Sequence, residues 1–201
     1  MINVPYENLP QLVQAIGYPG IFAVIFAESG LFFGFFLPGA SLLFTAGLLS
    51  SQGFFNPWIL IPLVTLAAIG GDSTGYWFGK KVGIKLFLKP DSKWFHREHL
   101  SRAEHFYEKY GARTILFARF LPIIRTFAPI VAGIANMSYR TFLTYNIIGA
   151  LVWATGITWL GYFLGVRLPF ISDYLTFIIL GIIFVTSIPI FLEAYRAQKN
   201  Q

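Results

Sequence analysis

The chain has 201 residues, of which 56% are hydrophobic and 12% are charged, and its formal net charge is +6 at pH 7. Because a soluble domain carries roughly 25% charged residues, this composition indicates an integral membrane protein and excludes an ordinary soluble enzyme. The absence of cysteine excludes disulfides and thiolate chemistry, and we expect no nucleic acid among the partners.

The first apolar segment, residues 8–27, is long enough to cross a bilayer, which takes about 20 residues of helix. Pro10, Gly17 and Pro19 interrupt it, however, and leave it equally able to lie in the membrane interface. The sequence therefore does not decide whether this segment spans the membrane. If it does, the N-terminus is cytoplasmic.

An interrupted apolar segment follows at residues 29–51, directly after the isolated Glu28. Pro38 and Gly39 break it near its middle. A broken segment stays at membrane depth only where protein or a water-filled cavity satisfies its backbone polar groups. We therefore predict a re-entrant hairpin, and we place it on the outer side because the next spanning helix, residues 57–79, must run inward to a basic segment.

That basic segment, residues 80–113, contains nine Lys or Arg residues and is predicted to be cytoplasmic by the positive-inside rule. Residues 93–110 gather their apolar side chains on one helical face, which indicates an amphipathic helix on the inner membrane surface or, alternatively, one packed against a partner. His96, His99 and His105 lie on different faces of this helix without a convergent carboxylate, so we expect no metal site.

A second interrupted segment, residues 114–136, carries Arg119 and Arg125 and is broken by Pro122 and Pro129. Because it starts and ends at basic residues of the cytoplasmic side, we predict a second re-entrant hairpin, on the inner side. Charge at membrane depth is expensive and therefore usually functional. The two arginines are accordingly the leading candidates for a site.

Two charge-free segments complete the chain. Residues 141–166 are predicted to span outward and residues 174–192 to return, which places the C-terminus in the cytoplasm. The last helix is expected to pack outside the rest of the protein, where it could serve a homodimer interface.

The two halves of the chain repeat one plan. An offset of 86 residues superimposes an Ala-Gly pair and a Gly-Tyr pair of the first half on the same pairs of the second half. The matched residues are Ala46, Gly47, Gly75 and Tyr76 with Ala132, Gly133, Gly161 and Tyr162. We predict a single all-α polytopic membrane domain, residues 1–201, with two inverted repeats, about residues 29–79 and 114–166. Each repeat is a re-entrant hairpin plus a transmembrane helix, which is a transporter plan.

The candidate site joins charges from both repeats. A guanidinium group holds phosphate bidentately and stays charged, and the break at Pro122 allows Arg119 and Arg125 to converge on one phosphate. Glu28 could balance the arginines or exchange a proton. Asp72 is a further candidate, since it lies in a polar Gly-Gly-Asp-Ser-Thr-Gly stretch near a helix.

A structural role is the alternative for each of these residues. Arg119 and Arg125 could snorkel from a shallow hairpin to the interface and anchor it. Glu28 could be a fixed counter-ion, and Asp72 a local polar cap or kink.

Residues 26–49, 71–83 and 117–142 resemble the DedA family of bacterial inner-membrane proteins, also called the VTT or SNARE-associated-domain family. The most specific element is the Arg-Phe-x-Pro-x-x-Arg-Thr sequence that begins at Arg119. The resemblance implies lipid translocation that supports envelope integrity, with undecaprenyl phosphate or a phospholipid as substrate and, in some members, dependence on the proton-motive force.

The resemblance also implies roles for particular residues. The functional acid before the first hairpin matches Glu28, and the two functional arginines match Arg119 and Arg125. Many members place an acid directly after the Pro-Gly of the first hairpin, where this chain has Ala40. Proton coupling is therefore left open here.

We expect a flippase or scramblase of the bacterial inner membrane that binds a lipid phosphate and uses no cofactor other than, in a coupled mechanism, protons. A proton-coupled ion or drug exchanger and a non-transporting membrane scaffold are the alternatives. A membrane lipid phosphatase is not expected, because it needs intramembrane histidines and all three histidines lie within residues 80–113. The sequence does not choose the lipid, the direction of transport or the energy source.

Overall fold

The computed structural model describes residues 9–30, 39–83, 110–119 and 122–168. Within these ranges the regular elements are helices, with no strand. The α-helices are α1 (Leu9–Gly30), α2 (Gly39–Ser51), α3 (Pro57–Phe78), α4 (Arg113–Ala118), α5 (Pro122–Ile134), α6 (Tyr139–Ala150) and α7 (Gly156–Arg167). Pro38, most of the predicted amphipathic segment and the predicted C-terminal helix at residues 174–192 lie outside the described residues.

Among the described residues, two continuous helices are long and apolar enough to cross a membrane, and their positions agree with the predicted spanning helices at residues 57–79 and 141–166. The first is Pro57–Val82, in which α3 runs on into a π-helical turn, Gly79–Gly83. The second is Tyr139–Arg167, in which the π-helical turn Leu151–Thr155 joins α6 to α7. A π-helical turn inserts one extra residue into a helix and shifts the direction of the side chains that follow.

Helix α1 is bent near its N-terminal end. Gly17 has φ 57° and ψ −162°, a backbone conformation outside the helical region that glycine adopts without steric cost. Pro19, inside the same helix, lacks the N–H that an uninterrupted helix would use. The apolar part that begins at the bend, Ile16–Gly30, is shorter than the two candidate spans.

The chain divides into two compact units. The described residues of the first unit are 9–25, 39–67 and 151–168, and those of the second unit are 26–30, 68–83, 110–119 and 122–150.

In the first unit, α2 packs lengthwise on α7. A side chain at Gly47 would overlap with the backbone carbonyl of Thr158, and one at Gly161 would overlap with the carbonyl of Phe44. These glycines therefore allow the two helix backbones to touch, as small residues do in membrane helix pairs. Helix α2 is buried along nearly all its length as a result.

In the second unit, α5 packs on the C-terminal end of α3 and its π-helical turn. Here a side chain at Gly133 would overlap with the carbonyl of Tyr76, and one at Gly79 with the carbonyl of Ile130. The Tyr76 ring is buried, stacks on Phe142 at a centroid distance of 4.6 Å and donates its hydroxyl hydrogen to the carbonyl oxygen of Met137. This packing holds α3, α5 and α6 together around the charged residues of the second unit.

Candidate functional site

The second unit brings together the four charged residues that the sequence singled out. Glu28 lies on α1, Asp72 on α3, Arg119 directly after α4, and Arg125 on α5. Glu28, Asp72 and Arg119 are buried, and the side chain of Arg125 is only 10% exposed. Residues from four separate elements therefore form one buried cluster, which we call the charged cluster.

Close packing of α1 against α3 places the two acids. Gly71 precedes Asp72, and a side chain there would overlap with the carbonyl of Phe26 and with the side chain of Ser29. A side chain at Gly30 would in turn overlap with Thr74 and with the backbone of Gly71. The two glycines thus permit the end of α1 that carries Glu28 to lie directly on the turn of α3 that carries Asp72.

Arg119 pairs with Asp72. Its Nη2 donates a hydrogen bond to Oδ2 of Asp72, and both side chains are 5% exposed. Asp72 lies in the interior of α3, so its carboxylate contacts a residue 47 positions along the chain rather than a helix end. A charge-assisted bond of this kind offsets part of the desolvation cost of burying both groups.

Arg125 pairs with Glu28. The distance between Nη2 of Arg125 and Oε1 of Glu28 is 2.6 Å, and the side chain of Glu28 is 5% exposed. The two arginines therefore each face a carboxylate of their own. Both ion pairs lie within the second unit.

Asn146 on α6 is a member of the site that the sequence reasoning missed. Its side chain is fully buried, its Oδ1 accepts a hydrogen bond from Nη2 of Arg119, and its Nδ2 donates one to the carbonyl oxygen of Ile69 at 3.2 Å. The signal that could have revealed it is a carboxamide in the otherwise apolar segment at residues 141–166, because polar groups at membrane depth need partners.

The residues predicted to break the hairpins occupy different positions in the helices. Gly39 is the first residue of α2, and Pro122 is the first of α5, where the absent N–H of proline costs no helical hydrogen bond. Pro129 lies inside α5 and does not end it. Ala40 lies in α2, beside Gly39.

The two guanidinium groups of the cluster are suited to binding anions. Among the described ranges, no group of three or more His, Asp or Glu side chains could hold a metal ion, and the three histidines lie outside those ranges. Two guanidinium groups and two carboxylates sum to a formal charge of zero. Such a cluster can exchange one of its carboxylates for another anion while the arginines stay charged.

Comparison with known proteins places the chain among membrane proteins. The profile of the VTT domain matches residues 21–163. Protein DedA of Escherichia coli strain K12 is 45% identical over 197 residues, which cover 96% of this chain and 90% of that protein.

Two further relatives agree with this result. An uncharacterized membrane protein of Mycobacterium leprae is 43% identical over 183 residues, covering 91% of this chain and 82% of its own length. The inner membrane protein YghB of E. coli strain K12 is 33% identical over 169 residues, covering 82% of this chain and 74% of YghB. The comparison with solved structures found no match.

Proposed function

The chain belongs to the DedA family of VTT-domain membrane proteins, and we propose that it moves a phosphorylated lipid between the leaflets of the bacterial inner membrane. The substrate classes that fit are undecaprenyl phosphate and glycerophospholipids. The observation that carries the proposal is the charged cluster, in which two buried arginines lie within one compact unit of a membrane protein.

Arginine suits a lipid phosphate for reasons of geometry and charge. Its planar fork of N–H donors matches two phosphate oxygens at once, and it remains charged at any working pH. A phosphate that enters the membrane loses water, and donors such as those of Arg119 and Arg125 replace the lost hydration. The contact involves the phosphate alone, so it favours a phosphorylated lipid without choosing the chain attached to it.

The two acids suggest how the substrate enters. Glu28 and Asp72 neutralise the arginines, so a phosphate that takes over the donors of either ion pair displaces a carboxylate from its arginine. A displaced carboxylate that takes up a proton avoids an unpaired buried charge, which would be strongly destabilising. Lipid movement would then be coupled to protons through Glu28 or Asp72, and this coupling does not require an acid at Ala40.

The proposal includes the transporter plan of two inverted repeats with re-entrant hairpins. Its support is that each compact unit contains a short helix packed through glycines on a long one, and that two helices are candidate membrane spans. A cytoplasmic C-terminus and a homodimer formed by residues 174–192 also belong to the proposal.

The test is the movement of labelled lipids in proteoliposomes. Labelled undecaprenyl phosphate and labelled phospholipids are offered separately to the wild-type protein, to the Arg119→Ala/Arg125→Ala double variant, and to vesicles without protein. The matched control is Arg113→Ala/Arg140→Ala, which also removes two positive charges, but from exposed positions of the second unit.

We expect the wild type and the exposed-arginine control to move lipid and the buried-arginine variant to move none. The preferred lipid then identifies the substrate. Absence of lipid movement by the wild type, with and without a pH gradient, would overturn the proposal and would favour the exchanger or scaffold alternatives. Movement by the buried-arginine variant at the wild-type rate would remove the charged cluster from the mechanism.

A further inference from the structure

The Arg119 side chain is bound by the carboxylate of Asp72 on α3 and, in addition, by a side chain of α6. We infer that Asn146 and Gly149 of α6 are positioning residues, which fix the guanidinium group of Arg119 in the orientation that receives the lipid phosphate. This inference rests on the proposed function, since it deepens the role of the same site.

Asn146 connects Arg119 to the backbone of α3. Its Oδ1 accepts from Nη2 of Arg119, and its Nδ2 donates to the carbonyl oxygen of Ile69, one turn before Asp72. Both acceptors of this guanidinium nitrogen are therefore tied to the same helix. Rotation of the Arg119 side chain would break two hydrogen bonds at once, in a region where lost bonds are not replaced by water.

The neutrality of Asn146 is part of the argument. The formal charges of Glu28, Asp72, Arg119 and Arg125 already sum to zero, and a third carboxylate next to Arg119 would give the cluster a net negative charge. Such a carboxylate would repel a phosphate and compete with it for the arginine. A carboxamide oxygen orients the guanidinium group and leaves its positive charge available to an anion.

Gly149 provides the space in which the Arg119 side chain lies. It is three residues after Asn146 and therefore on the same face of α6. A Cβ atom at this position would lie 2.7 Å from Cδ and 2.8 Å from Nε of Arg119, which is closer than real contacts allow. Any residue other than glycine would displace the side chain that Asn146 holds.

The Nε–H group of Arg119 is a donor that remains for the substrate. Its Nε is buried and has no hydrogen-bond acceptor among the residues that the structure describes. A buried N–H group without an acceptor is costly. In the proposed function, an oxygen of the lipid phosphate accepts the hydrogen bond from this Nε–H group.

The experiment measures the initial rate of movement of labelled undecaprenyl phosphate, or of the phospholipid that the wild type prefers, against its mole fraction in proteoliposomes. The variants are Asn146→Leu, which keeps the branched shape of the side chain and removes the hydrogen bonds, Asn146→Asp, and Gly149→Ala. The matched controls are Thr144→Val, at an exposed position of α6, and Gly156→Ala, where an added Cβ meets no atom within 4 Å.

We expect KM to rise about tenfold in Asn146→Leu and Gly149→Ala, as for the loss of one hydrogen bond to a charged group, while kcat changes little. Asn146→Asp should raise KM at least as much, because its carboxylate competes with the phosphate. The two controls should behave as the wild type. An unchanged KM in Asn146→Leu and Gly149→Ala, or a loss of folded protein without a change in KM, would overturn the inference.

A double-mutant cycle on thermal unfolding separates this inference from the proposed function. Asn146→Leu should lower the unfolding temperature in the wild-type background and lower it less in the Arg119→Ala background, because only the bond to the Ile69 carbonyl is then left to lose. If the wild type moves no lipid, the proposed function fails, and a non-additive cycle still supports the positioning of Arg119. Additive effects would overturn the positioning role whatever the transport result.

Discussion

The first unit joins α2 to α7 through Gly47 and Gly161, and the second unit joins α5 to the end of α3 through Gly133 and Gly79. In both units a short helix lies on part of a longer continuous helix so closely that the glycine of each helix faces a backbone carbonyl of the other. The units differ in what they bury nearby. The described part of the first unit buries hydroxyl groups and no charge, whereas the second unit buries the charged cluster.

This difference separates packing from function. In the first unit the hydroxyl of Thr65 bonds to the carbonyl oxygen of Ile61 at 2.8 Å and to the hydroxyl of Thr155 at 2.9 Å. A hydroxyl group can find a hydrogen-bond partner in a backbone carbonyl of its own helix in this way, whereas a buried charge needs an opposite charge as well. Since the first unit achieves the same helix contact without charge, the cost of burying four charges in the second unit needs a reason other than packing.

The largest expected effect comes from the arginines of the second unit. Arg119→Ala and Arg125→Ala should each reduce lipid movement by roughly a hundredfold or more, because each removes one partner of a buried charge pair. Arg→Lys at either position should restore only part of the activity, since an ammonium group lacks the bidentate fork. The rate of lipid movement in proteoliposomes is measured for the alanine and the lysine variants. Size-exclusion chromatography confirms that the variants are inserted and folded. Full activity of both alanine variants would end the distinction between the two units.

The glycine contacts should show that the units differ in function and not in packing. Gly47→Ala in the first unit and Gly133→Ala in the second should each lower stability by about 1–3 kcal/mol, the usual cost of overpacking. The unfolding temperature should therefore fall in both variants. Gly156→Ala, whose added Cβ meets open space, should leave the unfolding temperature unchanged or slightly raised. Only the second-unit variant should also raise KM for the lipid. A KM change of equal size in the first-unit variant would contradict the comparison.

Neutralisation of Glu28 tests the exchange of a carboxylate for phosphate. Glu28→Gln leaves Arg125 with an uncompensated positive charge, so KM for the phosphorylated lipid should fall severalfold. Release should become slower for the same reason, and kcat should fall. If Glu28 is the group that takes up the proton, the dependence of transport on a pH gradient should also disappear. Unchanged KM and kcat in this variant would make Glu28 a structural counter-ion, the alternative that the sequence left open.

The smallest effect is expected from the hydroxyl pair of the first unit. Thr65→Val and Thr155→Val each remove one side of a neutral hydrogen bond, and such bonds within membrane proteins contribute about 0.6 kcal/mol on average. The unfolding temperature should change slightly and transport not at all. A large transport defect in either variant would indicate that the first unit also takes part in substrate movement.

Much of the plan of the molecule could be predicted from composition and the spacing of polar residues. A helix satisfies its own backbone at membrane depth, and at both predicted spanning segments the structure has helices that are long and apolar enough to span a bilayer. Glu28, Asp72, Arg119 and Arg125 could be chosen as candidate site residues because charge is costly in an apolar setting. The hairpins and the inverted repeats remain predictions.

The register of the helix contacts required the tertiary structure. The sequence offset of 86 matched Gly75 of α3 with Gly161 of α7. In the structure, Gly161 faces the carbonyl of Phe44 on α2, and the glycine that faces a carbonyl of α5 in the corresponding way is Gly79. At Gly75 an added Cβ would make ordinary contacts, 3.5 Å from Pro129 and from Ile130. Small residues one helical turn apart fit the same sequence pattern, and only the packing of α5 selects between them.

By itself, then, the sequence determined that the chain is helical and that it lies in a membrane, and it singled out a few charges as candidates for function, because these properties follow from local composition. Only the tertiary structure decided that Arg119 bonds to Asp72 and Asn146, and that Arg125 bonds to Glu28. These partners come from different helices far apart in the chain, and a hydrogen bond depends on distances of a few tenths of an ångström. Such distances are set by how closely the glycines allow the helices to approach.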